Sequence, residues 1–376
     1  MTQSAGEFAD LDKTTPPYRT ASARWSVVGL IMLGMVFSII DRQIIALLVE
    51  PIKADLGLTD TQFSLLLGPA FVVFYVLFGF PFGLLADRMQ RRHVIALGVT
   101  IWSAATVMCG AAWSFLTLAA ARATVGAGEA SLMPSSMSVL SDLFSRDRLP
   151  FVTGIFSVSM HIGGASAMLI GGVILSVFAD TPSITVPLFG DLAPWQLAFV
   201  IVGMPGFILA AIFMVIPEPR RKLTPMREAE TPDEANQAAL VAFMKRNART
   251  IGVQFAAASI LTIGTYAFTS WIPAYLIRTQ GLSSSDAAFV IGAILLLCGP
   301  AGTVGGGALS TWLTKHKGRI DGPWLVMMLS AATATISIRI SRMTLRSIFS
   351  ASKYGPMIRV QSVIGRPSAI ASIGGI

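Results

Sequence analysis

The stretch Trp25–Leu48 reads WSVVGLIMLGMVFSIIDRQIIALL, an apolar run broken by charge only at Asp41-Arg42. As a helix rising 1.5 Å per residue it is about 36 Å long, enough to cross a hydrocarbon core of about 30 Å. The core of a cleavable signal peptide is only about 7–15 residues, so this run is expected to remain as a first membrane span, preceded by a polar tail over 1–24. Outward from it, further apolar runs bounded by charge or turn residues lie at 62–86, 94–112, 114–140, 150–178, 195–217, 250–277, 287–313 and 323–338. Nine spans are thus readable, and the fold expected is that of an all-α membrane protein.

Composition points the same way. Hydrophobic residues make up 53% of the 376 and charged ones 13%, whereas a soluble domain carries roughly a quarter charged residues. The net charge of +8 is not read as a nucleic-acid footprint, because Lys and Arg collect on the cytoplasmic loops of membrane proteins. With the N-terminus cytoplasmic, Arg88, Arg91, Arg92, Arg146, Arg148 and the basic residues of 220–249 and 315–319 fall inside, against only Lys53 and Arg278 on the other face. Cys109 and Cys298 sit in separate apolar runs, so packing is expected of them and neither a disulfide framework nor a metal site. No cofactor is expected.

One polar connection, 218–249, contains Pro219, Pro225 and Pro232 and separates an N-terminal bundle of six helices, 25–217, from a second group, 250–338. It reads as a cytoplasmic linker between two bundles. From Arg339 to Ile376 the chain is rich in Ser, Arg and Gly, with no run able to span and no acidic residue after Asp321. This tail is atypical, and the second bundle is expected to be incomplete or altered beyond about Ile336.

Four ionisable residues lie inside apolar runs: Asp41 and Arg42 in the first, Arg122 and Glu129 in the fourth. Each costs about 2.5–3.5 kcal/mol at a bilayer centre on insertion scales, so they are expected to face protein, water or each other. Arg122 and Glu129 are seven apart, on one helix face two turns from each other, with room between them for a substrate or another helix. Asp41 and Arg42 project about 100° apart, and Asp41 is expected to be the partner of Arg122. His161, alone in the fifth run beside Gly163-Gly164, is a further candidate for proton relay. A channel would require a ring of like charges or carbonyls, and an enzyme a nucleophile with an acid and a base or a metal set; neither is readable here.

The stretch Gly83-Leu84-Leu85-Ala86-Asp87-Arg88-Met89-Gln90-Arg91-Arg92 resembles the loop between helices two and three of the major facilitator superfamily. Arg122-Ala123-Thr124-Val125-Gly126-Ala127-Gly128-Glu129-Ala130-Ser131 resembles its fourth-helix motif, and the ending Gly-x-Gly-Glu-Ala-Ser, with Asp41-Arg42 and Trp271-x-Pro273, is similar to the spinster-like branch. The resemblance implies a major facilitator fold of two helical bundles, six plus six, rocking about a central site, and function as a monomer in the cell (inner) membrane. It implies a cytoplasmic gate at Gly83, Asp87, Arg88, Arg91 and Arg92, and a proton and substrate site at Asp41, Arg42, Arg122 and Glu129, to which His161 is added. Ser131, Tyr266, Phe268 and Trp271 are the expected cavity-lining residues. The function expected is proton-coupled secondary transport of an amphiphilic lipid such as a lysophospholipid or sphingosine phosphate; the alternative is a small hydrophilic organic anion, since the same Arg and carboxylates serve either cargo. The Gly-Pro of the superfamily's antiporter motif is absent from the fifth run, so exchange is not implied, and helices ten to twelve are not found.

Overall fold

In a computed structural model, residues 20–317 are described except 146–147, 179–180, 182, 187–189, 220 and 222–241, together with 325–326 and 328. Eleven helices are described in this part of the chain: α1 (Ala21–Leu47), α2 (Val49–Leu56), α3 (Asp60–Leu67), α4 (Pro69–Arg88), α5 (Arg91–Gly110), α6 (Phe115–Glu129), α7 (Leu132–Leu143), α8 (Leu149–Val177), α9 (Pro194–Val215), α10 (Ala248–Gln280) and α11 (Ser284–Lys317). Between α8 and α9 lies a small antiparallel hairpin, β1 (Ile184–Val186) with β2 (Gly190–Leu192), in which Thr185 faces Asp191.

Among the described residues, seven stretches are long and apolar enough to cross a membrane: Ala21–Leu47, Asp60–Arg88, Arg91–Gly110, Phe151–Val177, Pro194–Val215, Ala248–Gln280 and Ser284–Leu313. The span expected over 114–140 is present as two shorter helices, α6 and α7. The one expected over 323–338 lies outside the described residues, apart from Leu325, Val326 and Met328, as does most of the tail over 1–24 and all of that over 339–376.

Two spans are broken, and proline causes both breaks. Pro134 has no N–H for the carbonyl of Ala130, four residues back, and its ring crowds that carbonyl, so α6 stops at Glu129. The chain tightens there: the Ser131 N–H turns to the Gly128 carbonyl at 3.2 Å, and the Ser131 hydroxyl donates to the same oxygen at 2.9 Å. The tightened turn needs Gly98 on α5, because a Cβ there would lie 1.7 Å from the Ser131 Oγ. Pro69 likewise separates α3 from α4. The Phe71 N–H bonds to the Gly68 carbonyl at 3.1 Å rather than one residue further back, and the Leu67 carbonyl is left for a partner on another helix.

The chain divides into two compact units, Met1–Ala301 and Gly302–Ile376, so the division falls inside α11 and not in 218–249. In the first unit the most extensive packing is of α5 on α9, α1 on α8, α5 on α6 and α4 on α6. The core between them is apolar, with Trp102, Trp195, Phe63 and Phe71 fully or almost fully buried. Trp195 keeps its polar atom satisfied by donating to Asp55 at 2.8 Å. Helix α10 buries Ser270, Pro273 and Ala274 near its Gln280 end, while 252–265 is exposed along its whole circumference. An apolar helix exposed in this way is suited to lipid, which accepts apolar side chains without penalty. Near that same end, Ala288 and Ile291 of α11 pack with Leu47 of α1 and Met168 of α8.

Replacing Gly98 by Val is expected to force the α6–α7 break open, at an overpacking cost of about 1–3 kcal/mol. Thermal unfolding of the detergent-solubilised protein checks this; a Tm equal to that of the unsubstituted protein would show the break does not depend on the close approach.

Candidate functional site: a buried acidic and basic centre

Helix α1 carries Asp41 and Arg42 at a depth where α4, α5 and α6 converge on it. Glu129, whose side chain is fully buried, accepts from Arg42 Nη2 at 2.6 Å and from Ser38 Oγ at 2.7 Å, both on its Oε2 atom. Ser38 and Arg42 are four residues apart, so one face of α1 presents a hydroxyl and a guanidinium to the same carboxylate. The Arg42 side chain is 22% exposed, so the pair is reachable from one side.

Asp41 differs from its sequence expectation. Its carboxylate accepts from Thr106 Oγ1 of α5 at 3.1 Å, and Arg122 Nη1 donates to its main-chain carbonyl at 3.1 Å instead. The expected Asp41–Arg122 carboxylate pair is therefore replaced by a main-chain contact. The cause is helical rotation: adjacent residues diverge by about 100°, and here Arg42 takes the direction toward α6 while Asp41 turns to α5.

The space between Arg122 and Glu129 is filled by another helix. Phe71 of α4 lies with its carbonyl against Gly126, and its ring centre is 4.6 Å from the Arg42 guanidinium carbon and 5.3 Å from that of Arg122. Tyr75, stacked on Phe71 at 5.6 Å, is 5.2 Å from Arg42. Among the buried polar atoms, Arg42 Nε, Arg122 Nε, Arg122 Nη2, Asp41 Oδ1 and Glu129 Oε1 have no hydrogen-bond partner. Native structures rarely leave such atoms unpaired, and each points to function, water or a ligand.

The remaining expected site residues are dispersed. His161 on α8 packs against Gly299 of α11, so closely that a Cβ on the glycine would lie 2.6 Å from Nδ1. Ser131 is fully buried in the α6–α7 break, its hydroxyl turned to its own chain. Tyr266 donates to the Leu67 carbonyl at 3.2 Å, supplying the partner that the α3–α4 break requires. Trp271 is half-buried against the core, with the Arg278 guanidinium 5.6 Å from its ring, and Phe268 is exposed.

Beyond the ion pair, each end of the helical core has a charged cluster. At one, Arg278 of α10 donates to Glu50 of α2 at 2.6 Å and to both carboxylate oxygens of Asp60 at the start of α3, at 2.8 and 3.0 Å; Lys53 also pairs with Asp60. At the other, Arg91 is wholly buried. It donates to Glu218 at 2.8 Å, to Ser138 at 3.0 Å, to the Pro219 carbonyl at 2.9 Å and to Asp142. Glu218 also accepts the main-chain N–H groups of Arg91 and Arg92 at 3.3 and 3.1 Å, capping α5 at its N-terminus, where a carboxylate is favoured. Arg92 donates to the Ile216 carbonyl at 3.1 Å. Arg221 binds the carbonyls of Ala86, Asp87 and Met89 and so caps the C-terminus of α4. Asp87 and Arg88 are exposed, and a Cβ on Gly83 would meet nothing within 4 Å.

Seven spans among the described residues, with a buried and incompletely paired group of acidic and basic side chains between helices, define a polytopic membrane protein. The chain belongs to the Major Facilitator Superfamily, whose sequence profile matches residues 31–360. The "Probable galactarate/D-glucarate transporter GudP" of Bacillus subtilis (strain 168) is 30% identical to it over 82% of this chain and 69% of that protein. The "Sphingosine-1-phosphate transporter SPNS2" of Danio rerio is 24% identical over 81% of this chain and 60% of its own length. Among solved structures, a bacterial homolog of the human lysosomal transporter spinster, in an inward-facing and unoccupied conformation, superposes with a TM-score of 0.66 at 29% identity over 78% of this chain and 64% of that one. The chain thus spans between 60% and 69% of the length of these relatives. They are transporters and not enzymes, and spinster proteins are among them, as the motifs implied.

Arg91→Ala is expected to strand Glu218 and Asp142 without their shared cation, a loss of the order of 3–5 kcal/mol for a broken buried pair. Its Tm in detergent should fall well below that of Arg92→Ala; equal values would assign Arg91 no special structural weight.

Proposed function

We propose that this protein is a proton-coupled secondary transporter of an amphiphilic organic anion, working by alternating access with Arg42 and Arg122 as the anion site and Glu129 as the principal proton carrier. The observation that carries this reading is the set of three partnerless guanidinium nitrogens, on Arg42 and Arg122, beside two carboxylates that each have a partnerless oxygen. A phosphate or carboxylate meets the N–H groups of these nitrogens in the planar geometry for which arginine is suited. An anion that draws Arg42 from Glu129 leaves a buried carboxylate without its cation, and such a group is neutralised by a proton. Binding and proton uptake are then one event. Asp41, held by Thr106 and close to Arg122, is the second proton carrier, and His161 lies on the helix next to α1 as a further relay candidate.

The spinster relatives and the aromatic pair Phe71 and Tyr75 support an amphiphile with a phosphate head, such as a lysophospholipid. The aldarate transporter of Bacillus subtilis favours a second reading, a hydrophilic sugar acid bound through the same two arginines. Tyr266 and Trp271 line the path on α10 in either case. The basic residues of the Arg91 end support a cytoplasmic position for that end and the N-terminus, by the positive-inside rule, in a cell membrane. Glu50, Asp60 and Arg278 then close the outer face, with Gly83, Asp87, Arg88 and Arg92 at the inner gate around the Arg91 strut. A single chain is the working unit.

Uptake into proteoliposomes of labelled lysophosphatidate and of labelled D-glucarate, with and without an inward proton gradient, tests this. Gradient-driven uptake of the lipid is expected, with Glu129→Gln removing the gradient dependence and Arg122→Ala lowering uptake at least tenfold. Uptake of glucarate alone would select the second reading, and uptake of neither would reject the assignment. A further expectation is that Arg278→Glu, which sets a third carboxylate against Glu50 and Asp60, increases labelling by an impermeant thiol reagent of a cysteine introduced at Thr269; unchanged labelling would deny the outer cluster a closing role.

A further inference from the structure

The arginine pair raises a physical difficulty. Two guanidinium groups share one low-dielectric site, and only Arg42 has an ion-pair partner, Glu129. When Glu129 becomes neutral, Arg42 loses that partner, yet an anion site needs its cation held still. Phe71 is placed to hold it. The residue is 2% exposed and sits three positions after the Gly68-Pro69 break that redirects the span. Its carbonyl rests on Gly126, midway between Arg122 and Glu129, where a Cβ would lie 2.3 Å from the oxygen, so no other residue allows this approach. Its ring is 4.6 Å from the guanidinium carbon of Arg42 and 5.3 Å from that of Arg122, and it is backed by the stacked ring of Tyr75. A cation near an aromatic face is attracted by the ring quadrupole, most strongly where water is excluded.

We propose that Phe71 is a positioning residue of the transport cycle: its ring, supported by Tyr75 and seated by Gly126, retains Arg42 at the anion site when Glu129 is neutralised. The inference rests on the function proposed above, because it assigns Glu129 a neutral state. The ring replaces a partner that titrates with one that does not. Arg42 therefore has two alternative holds, and exchanging one for the other requires only a small movement of its guanidinium group. Without the ring, a neutral Glu129 would release Arg42 to the exposed side, and the anion would meet one arginine and not two.

The test reads Arg42 directly and does not depend on a cargo. In protein labelled with ¹⁵N-arginine, the Arg42 Nε–H resonance, assigned by its loss in Arg42→Lys, is expected to carry the upfield displacement caused by a nearby ring current. That displacement should persist in Glu129→Gln, which removes the charge of the partner, and disappear in Phe71→Leu with Glu129→Gln. Its loss in Glu129→Gln alone would overturn the proposal. Phe71→Trp should retain it, and Tyr75→Leu should weaken it, so that the question is still answered if Phe71→Leu fails to fold. In transport, with lysophosphatidate as the probe, Phe71→Leu is expected to raise KM about tenfold and change its pH profile, while Phe71→Trp restores both. Equal impairment by Leu and Trp would mean that the ring only fills space. A protein that transports no lysophosphatidate but shows the resonance pattern would reject the cargo and leave the positioning role intact.

Discussion

The Arg42–Glu129 pair is the constraint on which the arrangement of the first unit turns. Inserting an isolated charge at the centre of a bilayer costs several kcal/mol, and the attraction between two charges repays this only when the geometry is close and the remaining polar atoms are satisfied. Here the geometry is close, at 2.6 Å, but satisfaction is partial. To bring α1 and α6 to this separation, α4 must pass between Arg122 and Glu129, which requires a glycine at 126. The span must also end at Glu129 and restart beyond it, which requires Pro134 and the recess at Gly98. The glycines of the Arg122–Ser131 motif thus serve the ion pair through backbone approach, and their chemistry is that of absent side chains.

The two broken spans share a logic. A continuous helix satisfies its own backbone, which is why helices cross membranes at all. Each break interrupts that pattern, and the backbone around it needs other partners. At the first break the Ser131 N–H and hydroxyl both turn to the Gly128 carbonyl, and at the second the Leu67 carbonyl receives a hydroxyl from Tyr266, on a helix 199 residues away in sequence. The first repair is local and fixes the shape of one span. The second ties α10 to the break in the second span, so the position of α10 is registered against the helix that carries Phe71.

Much of this was legible in the chain. Long apolar runs mark the spans because length and charge depletion are properties of the sequence itself, and the four intramembrane charges lie in one region, with Asp41, Arg122 and Glu129 buried and Arg42 partly so. The pairing among them was not legible, since Asp41 and Arg42 differ by one position and only the rotation of α1 decides which carboxylate and which guanidinium meet. Phe71, Ser38 and Thr106 gave no signal, because an aromatic or a hydroxyl residue in an apolar helix is ordinary until its neighbour is known. Arg91 was placed with the gate residues of its motif, but its partners Asp142 and Glu218 lie 51 and 127 positions away, and no local pattern shows that it is a buried strut.

The reciprocal capping at Glu218 and Arg221 has a mechanical meaning. A carboxylate from the end of α9 holds the start of α5, and a guanidinium three residues later holds the end of α4. The turn between α4 and α5 is thereby clasped by opposite charges, each matched to the helix terminus it touches. Such a turn cannot flex independently of α9 without exposing two sets of unpaired backbone groups at once. The three helix ends are thus stitched together, like the knuckles of one hinge leaf, by two side chains from a single short segment.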